Sequence, residues 1–348
     1  MKEKEVYYMI KVVVDTLGGD RGVEAVVEGT VKAINENNDL YVILVGPSDS
    51  INSELSKYKY NSTQIQIQNA TDEITCHDKP TEAIKKKKES SMVKAFDILK
   101  ENDDVNAFIS LGSTGAVLTG AVLKIGRIKG VKRPAFCPIL PTVNNKIVAI
   151  CDSGANAECD EFYLQQFAIM GSLYLEKTFN IEKPKVALLN IGTEAEKGDT
   201  LRKEAYKLLS TSPINFVGNM ESRDLLSGNY DLVVCDGFSG NVLLKSTEGT
   251  AGEILKLLKK NLSKGFFTIL GALLIKGKVK KIKKMMDYNN YGGAVMLGVS
   301  KTIIKGHGSS KANAVYNCLI QAYNIEKNNL RKAISEGIEK IAKENDIN

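Results

Sequence analysis

Six polar, glycine-rich turns follow apolar runs along this chain, at positions where buried β-strands are expected to end. They contain carboxylates, amides, hydroxyls and one histidine, which are groups that bind anions and move protons. Glycine permits positive φ angles and lets backbone N–H groups close around an anion. Because ligands bind beyond the carboxyl ends of parallel strands, the turns predict one large active-site cleft. With their apolar runs, the six segments are Val12–Asp20, Phe108–Gly115, Val148–Asn156, Val186–Glu194, Leu232–Asn241 and Thr302–Ser310.

The composition is that of a folded protein with a large core. With 348 residues, 43% of them hydrophobic and 25% charged, the chain can form one large α/β domain or two lobes, and wholesale disorder is excluded. Its six cysteines form no CxxC pair and several lie in apolar runs. We therefore expect reduced, mostly buried thiols in a cytosolic protein. Only two histidines, His77 and His307, are present, which argues against a histidine-based zinc site.

The amino terminus shows no targeting signal. Residues 1–10 lack the apolar core and the small-residue cleavage site of a signal peptide, so we expect the protein to stay inside the cell. The longest uncharged apolar stretch, Gly265–Ile275, has eleven residues, whereas a membrane-spanning helix needs roughly 20. The sequence thus predicts a cytoplasmic protein with no transmembrane segment.

Positive charge is concentrated in one segment. The whole chain carries a net charge of +6, but residues 253–286 contain ten lysines and one glutamate. This segment therefore carries +9 and the remainder of the chain −3. Such an uneven distribution indicates a local anionic partner rather than a general nucleic-acid-binding surface.

The basic segment also has the pattern of an amphipathic helix. Four apolar residues, flanked by lysines, recur at a spacing of four: Ile254, Leu258, Leu262 and Phe266. A helix of this kind lies in the surface of an anionic bilayer, where each nearby lysine contributes about 1 kcal/mol. We therefore expect Leu258, Leu262 and the pair Phe266 and Phe267 to bind the inner face of the membrane peripherally. A dimerisation or core-packing helix is the alternative, and the two are not exclusive.

Strands that alternate with helices predict βαβ units and a mostly parallel sheet. The expected strands are Val12–Asp15, Leu40–Gly46, Ile65–Gln68, Ala107–Ser110, Ile147–Cys151, Lys185–Asn190, Ile214–Gly218, Asp231–Asp236 and Thr302–Lys305. The expected helices are Val23–Asn35, Pro80–Lys100, Thr114–Ile128, Phe162–Phe179, Thr200–Leu209, Asn241–Leu262 and Ser310–Asn324, with a last amphipathic helix from Leu330. No repeat or long linker divides the chain. We predict a single α/β catalytic domain over residues 9–348, with a basic helical hairpin at residues 253–290 as an excursion.

Eight short motifs occur in the order found in one enzyme family. From about Met9 to about Tyr323 the chain resembles the phosphate acyltransferases of bacterial phospholipid synthesis, the PlsX family. No single motif is decisive, but the ordered set is highly specific. The motifs are Asp15–Asp20, Glu82–Met92, Asp152–Asn156, Gln166–Gly171, Asn190–Gly192, Asp236–Asn241, Tyr291–Ala294 and Lys305–Ser310.

This resemblance implies an enzyme that moves a long-chain fatty acyl group from acyl carrier protein to inorganic phosphate. The acyl phosphate product then feeds glycerol-3-phosphate acylation on the way to phosphatidic acid. The resemblance also implies a homodimer with a three-layer α/β/α fold, related to phosphotransacetylases and isopropylmalate dehydrogenases. It implies no cofactor, and it makes the downstream glycerol-3-phosphate acyltransferase a candidate partner.

The chain departs from the family pattern in three places. The first turn has Thr16 and Leu17 where the family usually has Ala and Met, and Ser113 stands where an asparagine is common. Ser113 keeps a polar oxygen but loses the amide, so we assign no essential amide role there. The family also tends to begin at the first strand, which favours Met9 as the native start and makes residues 1–8 a dispensable extension.

The implied reaction assigns roles to the turns. Phosphate oxygen attacks a thioester carbonyl without help from a serine or cysteine nucleophile, so the protein must hold a dianion, orient it and stabilise an oxyanion. We expect His307, Lys305 and Asn241 to be catalytic, with the imidazole as hydrogen-bond donor and the lysine as positive charge. A structural histidine in an ordinary glycine turn is the alternative for His307.

The remaining polar turn residues are expected to bind phosphate. Those near Asp236 lie at a helix start, where backbone N–H groups attract anions, although plain turn and cap chemistry is the alternative. Asp15 and Asp20 would repel phosphate if both faced it, so at least one is expected to accept backbone N–H groups. We predict no metal, because the aspartates lack a tight DxD-like spacing. The expected binding residues are Asp15, Gly18, Gly19, Asp20, Ser113, Thr114, Asn156, Asn190, Gly192, Asp236, Gly237, Gly308 and Ser309.

Alternatives remain for the basic run and for the activity. Lys85, Lys86, Lys87 and Lys88 are expected to dock the acidic carrier protein, although a charged run on a helix is also typical of a solvated face. A phosphotransacetylase-like or dehydrogenase-like enzyme is a second interpretation, but the absence of a GxGxxG fingerprint argues against NAD. A membrane scaffold without catalysis is a third, and it leaves the six turns unexplained.

Overall fold

The computed structural model describes residues 9–285 and 288–347. The strands are β1 Ile10–Asp15, β2 Leu40–Gly46, β3 Ile65–Asn69, β4 Val105–Ser110, β5 Ala135–Cys137, β6 Ile139–Pro141, β7 Ile147–Cys151, β8 Val186–Asn190, β9 Phe216–Glu221, β10 Leu232–Val234, β11 Ala294–Leu297 and β12 Thr302–Lys305. The α-helices are α1 Gly22–Glu36, α2 Ser48–Leu55, α3 Pro80–Lys86, α4 Ser91–Glu101, α5 Thr114–Gly120, α6 Glu161–Phe179, α7 Thr200–Ser210, α8 Gly237–Leu262, α9 Phe266–Met285, α10 Ala312–Lys327 and α11 Leu330–Ile347. The dispensable extension predicted at residues 1–8 lies outside the described residues.

The described residues divide into two compact units. The first unit comprises the described residues within Met1–Pro134, Leu173–Glu182 and Asn289–Asn348. The second comprises those within Ala135–Ser172 and Lys183–Tyr288. The expectation of a single catalytic domain over residues 9–348 stays a prediction.

The first unit contains a mostly parallel sheet. Its strands lie in the order β3-β2-β1-β4-β12-β11, and only the β11–β12 pair is antiparallel. The apolar run Val12–Val14 in β1 is fully buried, as expected for a central parallel strand covered on both faces. Helices α1 and α10 pack closely, because a Cβ atom at Gly29 would lie 2.5 Å from the Ala312 carbonyl oxygen.

The second unit contains another mostly parallel sheet. Its strands lie in the order β6-β7-β10-β8-β9, and β6 and β7 form the antiparallel pair. Val148, Ile150 and Val233 from the central strands pack with Leu243 and Leu244 of α8 in one apolar cluster. The start of α8 is therefore held on the sheet. Both sheets confirm the predicted α/β class.

The sequence pattern was wrong about one long helix. Pro80–Lys100 was expected to be continuous, but α3 ends at Lys86 and α4 begins at Ser91. Ser90 interrupts the helix because its hydroxyl accepts the Val93 N–H at 3.4 Å and caps α4. Lys87 and Lys88 consequently lie between the two helices.

Two other helix boundaries also differ from expectation. The helix predicted over Thr114–Ile128 is α-helical only to Gly120, and a π-helical turn then covers Ala121–Ile125. Helix α8 begins at Gly237, four residues before the expected Asn241, because the Asp236 carboxylate accepts the Ser239 N–H at 2.8 Å and caps it there.

Helices α8 and α9 cover most of residues 253–290, where a basic helical hairpin is predicted. They span Gly237–Leu262 and Phe266–Met285 and are joined by a short turn. Among the residues that the structure describes, no helix is both long enough and apolar enough to cross a membrane.

Candidate functional site

In the first unit, the turns after β1, β4 and β12 contact one another. A Cβ atom at Gly18 would lie 2.6 Å from the Gly112 amide nitrogen, so only glycine allows these two turns to meet. The Asp20 N–H donates to the Gly308 carbonyl at 2.9 Å. A Cβ atom at Gly19 would likewise lie 3.2 Å from that carbonyl oxygen. Three of the six predicted turns thus form one continuous surface.

The buried carboxylate of Asp15 holds these turns together through hydrogen bonds. It accepts these bonds from the Ser91 hydroxyl at 2.6 Å, the Ser110 hydroxyl at 2.7 Å and the Leu17 N–H at 3.2 Å. Burial raises the pKa of Asp15, and these hydrogen bonds oppose the increase. One of the two aspartates therefore does accept a backbone N–H, as expected, whereas Asp20 is exposed beside Gly308.

His307 lies exposed on the surface of the same turns. The Ser309 N–H donates to its Nδ1 atom at 3.2 Å, and the Ser309 hydroxyl oxygen is 2.8 Å from Nδ1. A ring nitrogen that accepts a backbone N–H carries no proton, so the neutral ring is protonated at Nε2. Imidazole is thereby oriented as a donor through Nε2.

The other predicted residues of this unit lie nearby in sequence and differ in exposure. Lys305 ends β12, and its ammonium group donates to the Gly306 carbonyl. Ser113 is half-buried, immediately precedes α5 and makes no capping hydrogen bond with its side chain, while Thr114 is exposed as the first residue of that helix. These positions keep their sequence-based roles as predictions.

In the second unit, the turn after β7 is built around Asp152, which the sequence argument did not assign to the site. Its buried carboxylate accepts N–H groups of Phe136 at 2.9 Å, Ala155 at 3.1 Å and Asn156 at 2.7 Å. The Asn156 side-chain amide also donates to it, at 3.0 Å. Burial raises the pKa of Asp152 to about 6 against these hydrogen bonds. Asn156 thus has a structural contact in addition to its predicted role.

The turn after β7 contacts the start of α8. The Gly237 N–H donates to the Asn156 carbonyl at 2.7 Å. A Cβ atom at Gly237 would lie 2.6 Å from Asp152 Oδ2, and one at Gly154 would lie 3.7 Å from the Asn241 side chain. Asn241 itself is exposed. The structure therefore brings Asn156, Gly237 and Asn241 together.

Arg202 of α7 supplies a cation that sequence reasoning missed. It pairs with Asp236 and with Asp199, the latter at 2.9 Å, and donates to the Ser239 hydroxyl at 3.1 Å. The Asp236 carboxylate therefore forms an ion pair with Arg202 and caps α8. Its negative charge is compensated within the protein. The only available signal was an arginine in the first turn of a predicted helix, which is too common to single out.

Asn190 and Gly192 close the loop after β8. The Asn190 amide donates to the Lys197 carbonyl at 3.0 Å and its oxygen accepts the Ile191 N–H at 2.8 Å. Gly192 is buried, and a Cβ atom there would lie 2.9 Å from a Glu194 carboxylate oxygen. This loop borders a cavity of about 650 Å³ that also reaches Arg202 and the start of α8.

Within each unit, the structure thus places the predicted site residues in the turns that follow its strands. The hypothesis that all six turns line one cleft stays a prediction. Within residues 9–285 and 288–347, no group of three or more His, Cys, Asp or Glu side chains is arranged to hold a metal ion.

Comparison with known proteins identifies the family. A family model described as "Fatty acid synthesis protein" matches residues 10–333. A phosphate acyltransferase from Caldanaerobacter subterraneus is 46% identical over 330 residues, covering 95% of this chain and 98% of that protein. One from Clostridium novyi is 48% identical, covering 95% and 99%. The chain belongs to the phosphate acyltransferase family. It is an acyltransferase of fatty acid and lipid synthesis, so the expected enzyme class is confirmed.

Solved structures confirm the expected three-layer α/β/α fold of this family member. A phosphotransacetylase from Streptococcus pyogenes superimposes with a TM-score of 0.58 at 18% identity, covering 91% of this chain and 94% of its own. A branched-chain phosphotransacylase from Enterococcus faecalis gives a TM-score of 0.55 at 15% identity, covering 91% and 98%. At these identities the likeness concerns the fold alone.

Proposed function

We propose that this acyltransferase transfers a long-chain fatty acyl group from acyl carrier protein to inorganic phosphate. The acyl phosphate formed would feed glycerol-3-phosphate acylation in phospholipid synthesis. The observation that carries the proposal is the match to phosphate acyltransferases over 95% of the chain; the family model, which matches residues 10–333, spans all six turns. The phosphate acceptor comes from the names of those relatives, and the carrier-protein donor from the motif resemblance.

The reaction needs one bond made and one broken. A phosphate oxygen attacks the thioester carbonyl carbon, the C–S bond breaks, and the carrier thiolate leaves and takes up a proton. His307 is suited to donate from Nε2 to the developing oxyanion, since Ser309 fixes the ring. The Gly237 and Ser239 N–H groups at the start of α8 are already bonded to the Asn156 carbonyl and the Asp236 carboxylate, so this helix start offers an anion the helix dipole rather than free donors. Arg202 offsets the negative charge of Asp236 there.

Carrier-protein docking is proposed for the exposed lysines at the end of α3 and just after it. Lys85, Lys86 and Lys88 are exposed. Lys86 pairs with Glu82 at 2.9 Å on the exposed face of α3. Lys87 differs because it is half-buried and its ammonium group binds both Asp78 and the Glu73 carbonyl, each at 2.9 Å. That hydrogen bond lowers the pKa of Asp78 to about 2. We therefore assign docking to the other three lysines and a local structural role to Lys87.

Peripheral binding to an anionic membrane is proposed for the α8–α9 hairpin. Phe266, Phe267 and Leu274 are 78%, 84% and 84% exposed. A cavity of about 690 Å³ between the helices is lined by leucines and by Lys256, Lys259, Lys276 and Lys280. Exposed apolar groups with lysines around them favour an anionic bilayer surface. A homodimer formed through the same helices remains compatible, as does contact with the downstream glycerol-3-phosphate acyltransferase.

Sedimentation with vesicles tests the membrane proposal. Phe267→Glu combined with Leu274→Glu should abolish binding to vesicles that contain anionic phospholipid, while Val217→Glu, an exposed position in β9, should not. Unchanged sedimentation of the double variant would refute membrane binding. Loss of dimers instead, measured by analytical ultracentrifugation, would assign the hairpin to dimerisation alone.

A donor comparison tests the activity. Palmitoyl carrier protein and labelled phosphate should give labelled acyl phosphate, and acetyl-CoA should give much less. Efficient transfer from acetyl-CoA with none from the carrier substrate would favour a phosphotransacetylase. Absence of product from both donors would contradict transfer to phosphate.

A further inference from the structure

The cavity beside α8 in the second unit is lined both by polar groups and by large apolar side chains. It measures about 650 Å³, within the range of about 300–1,000 Å³ typical of small-molecule sites. It opens beyond the carboxyl end of β8 and along the first turns of α8, where α/β sheets place ligands. The lining residues that bear on a ligand are Asn190, Ile191, Asp199, Arg202, Phe238 and Val242.

The main polar groups of this cavity are engaged inside the protein. Arg202 is paired with Asp199 and Asp236 and also donates to Ser239. Asn190 uses its amide on Lys197 and its oxygen on Ile191 N–H. A ligand that depended on new ion pairs would have to break these contacts first, so the polar wall favours no additional charged group.

The apolar side chains of the cavity, unlike its polar groups, are left largely exposed. Ile191, Phe238 and Val242 are 80%, 67% and 51% exposed, although they border a cavity rather than an open convex surface. Large apolar side chains clustered at the mouth of a cavity mark a site for an apolar ligand. Phe238 and Val242 lie one helical turn apart on α8, so they present one continuous face.

We propose that this cavity holds the first part of the fatty acyl chain of the thioester donor. The inference rests on the proposed function, which supplies a substrate with a long apolar chain. Ile191, Phe238 and Val242 contact the chain, and the Arg202 network closes the polar end. The cavity thus determines which chain lengths the enzyme prefers.

Chain-length dependence follows from this placement. Burying one methylene group is worth about fourfold in kcat/KM when the chain enters an apolar site. The wild-type enzyme should therefore gain about fourfold per methylene through the series hexanoyl, octanoyl and decanoyl thioesters. Phe238→Ala removes most of one wall and should reduce the gain to about twofold per methylene.

The experiment compares Phe238→Ala with Phe162→Ala, since Phe162 is also an exposed phenylalanine, on α6, but does not line the cavity. Both variants should keep the wild-type melting temperature, and only Phe238→Ala should flatten the chain-length series while leaving KM for phosphate unchanged. A second readout is calorimetric titration with the matching free fatty acids, which needs no turnover.

Three results would overturn the proposal. Equal loss at every chain length would assign the cavity to the carrier arm instead of the acyl chain. A chain-length series that is unchanged in Phe238→Ala, or flattened to the same extent in Phe162→Ala, would remove the cavity from donor binding. If wild-type enzyme makes no acyl phosphate, the proposed function fails, and the fatty acid titration then decides separately whether the cavity binds acyl chains.

Discussion

At the residue scale, hydrogen bonds divide the polar side chains of the turns into two groups. Buried carboxylates such as Asp15 and Asp152 hold neighbouring turns together through several donors each. His307 and Asn241 are exposed on the surfaces those turns create. We therefore propose catalysis for the exposed group and positioning for the buried one.

Removal of the His307 imidazole gives the first prediction. His307→Ala should lower kcat by about 10²–10³-fold, the usual cost of losing one oxyanion donor, with little change in melting temperature because the side chain is exposed. Steady-state kinetics and a thermal melt measure both. The control is Ser309→Ala, which loosens the ring without removing it and should cost less. Normal turnover of His307→Ala would assign the histidine to turn structure.

Asp152 gives a prediction for the pH dependence of stability. Its pKa of about 6 in the folded protein exceeds the unfolded value of 3.8, so the folded state holds the proton more tightly. The contribution of Asp152 to the free energy of unfolding is complete below about pH 4 and is lost as pH rises to about 6. The loss amounts to roughly 3 kcal/mol at most. Urea titrations should show this decline in wild type and less of it in Asp152→Asn; identical pH profiles would contradict the assignment.

Sequence reasoning identified the turn residues but not which of them are buried and hold the turns together and which are exposed. Residue types after apolar runs predicted where Asp15, Asp236 and His307 would lie. Their partners come from distant segments: Ser91 is 76 positions from Asp15, and Arg202 is 34 positions from Asp236. Local patterns carry no information about such pairs, so Arg202 was missed. Asp152 receives most of its hydrogen bonds from Ala155 and Asn156, and it was missed because its residue type did not reveal its burial.

At the element scale, the start of α8 packs closely against the ends of β7 and β10 in the second unit. A Cβ atom at Gly240 would overlap the Asp152 carbonyl oxygen and lie 2.8 Å from Cys235 Sγ. Two turns further along the same helix, a Cβ atom at Gly249 would have no neighbour within 4 Å. The helix therefore needs glycine at one position and merely tolerates it at the other.

The two glycines form a matched pair for a stability test. Gly240→Ala should lower the free energy of unfolding by about 1–3 kcal/mol through overpacking. Gly249→Ala should raise it by about 0.5–1 kcal/mol, because alanine is the better helix former. Urea unfolding measures the free energy of unfolding of both variants. A Gly240→Ala variant as stable as wild type would show that the contact between Gly240 and the Asp152 carbonyl tolerates a Cβ atom.

Elements were predictable where burial is continuous. The long Val, Ile and Leu runs of β1, β2 and β7 announce central strands, whereas β5 and β6 have three residues each and are too short for any periodicity. The break between α3 and α4 depends on a single serine cap within an otherwise helical pattern. Caps of this kind compete with helix continuation only once the surrounding packing is known.

At the scale of the whole molecule, charge is arranged in separate patches. The lysines at Lys85, Lys86 and Lys88 lie in the first unit and the basic hairpin lies in the second. The hairpin lysines accompany exposed apolar side chains such as Phe267 and Leu274, so the two groups of lysines suit different anionic partners. We accordingly keep carrier docking and membrane binding as separate proposals.

Charge reversal separates docking from catalysis. Lys85→Glu with Lys88→Glu should raise KM for the carrier substrate roughly tenfold and leave kcat nearly unchanged, with a larger effect at low salt. Lys87→Ala is the comparison, since its partner is Asp78 and its loss should affect stability instead. An unchanged KM in the double variant would leave these lysines as a solvated face.

The central claim is direct attack of phosphate on the acyl thioester. The most direct measurement follows free carrier thiol and acyl phosphate together after enzyme is mixed with palmitoyl carrier protein, with and without phosphate. We predict equal amounts of thiol and acyl phosphate when phosphate is present, and no thiol release without it. A burst of thiol before phosphate is added would contradict the claim, because it would reveal an acyl-enzyme intermediate.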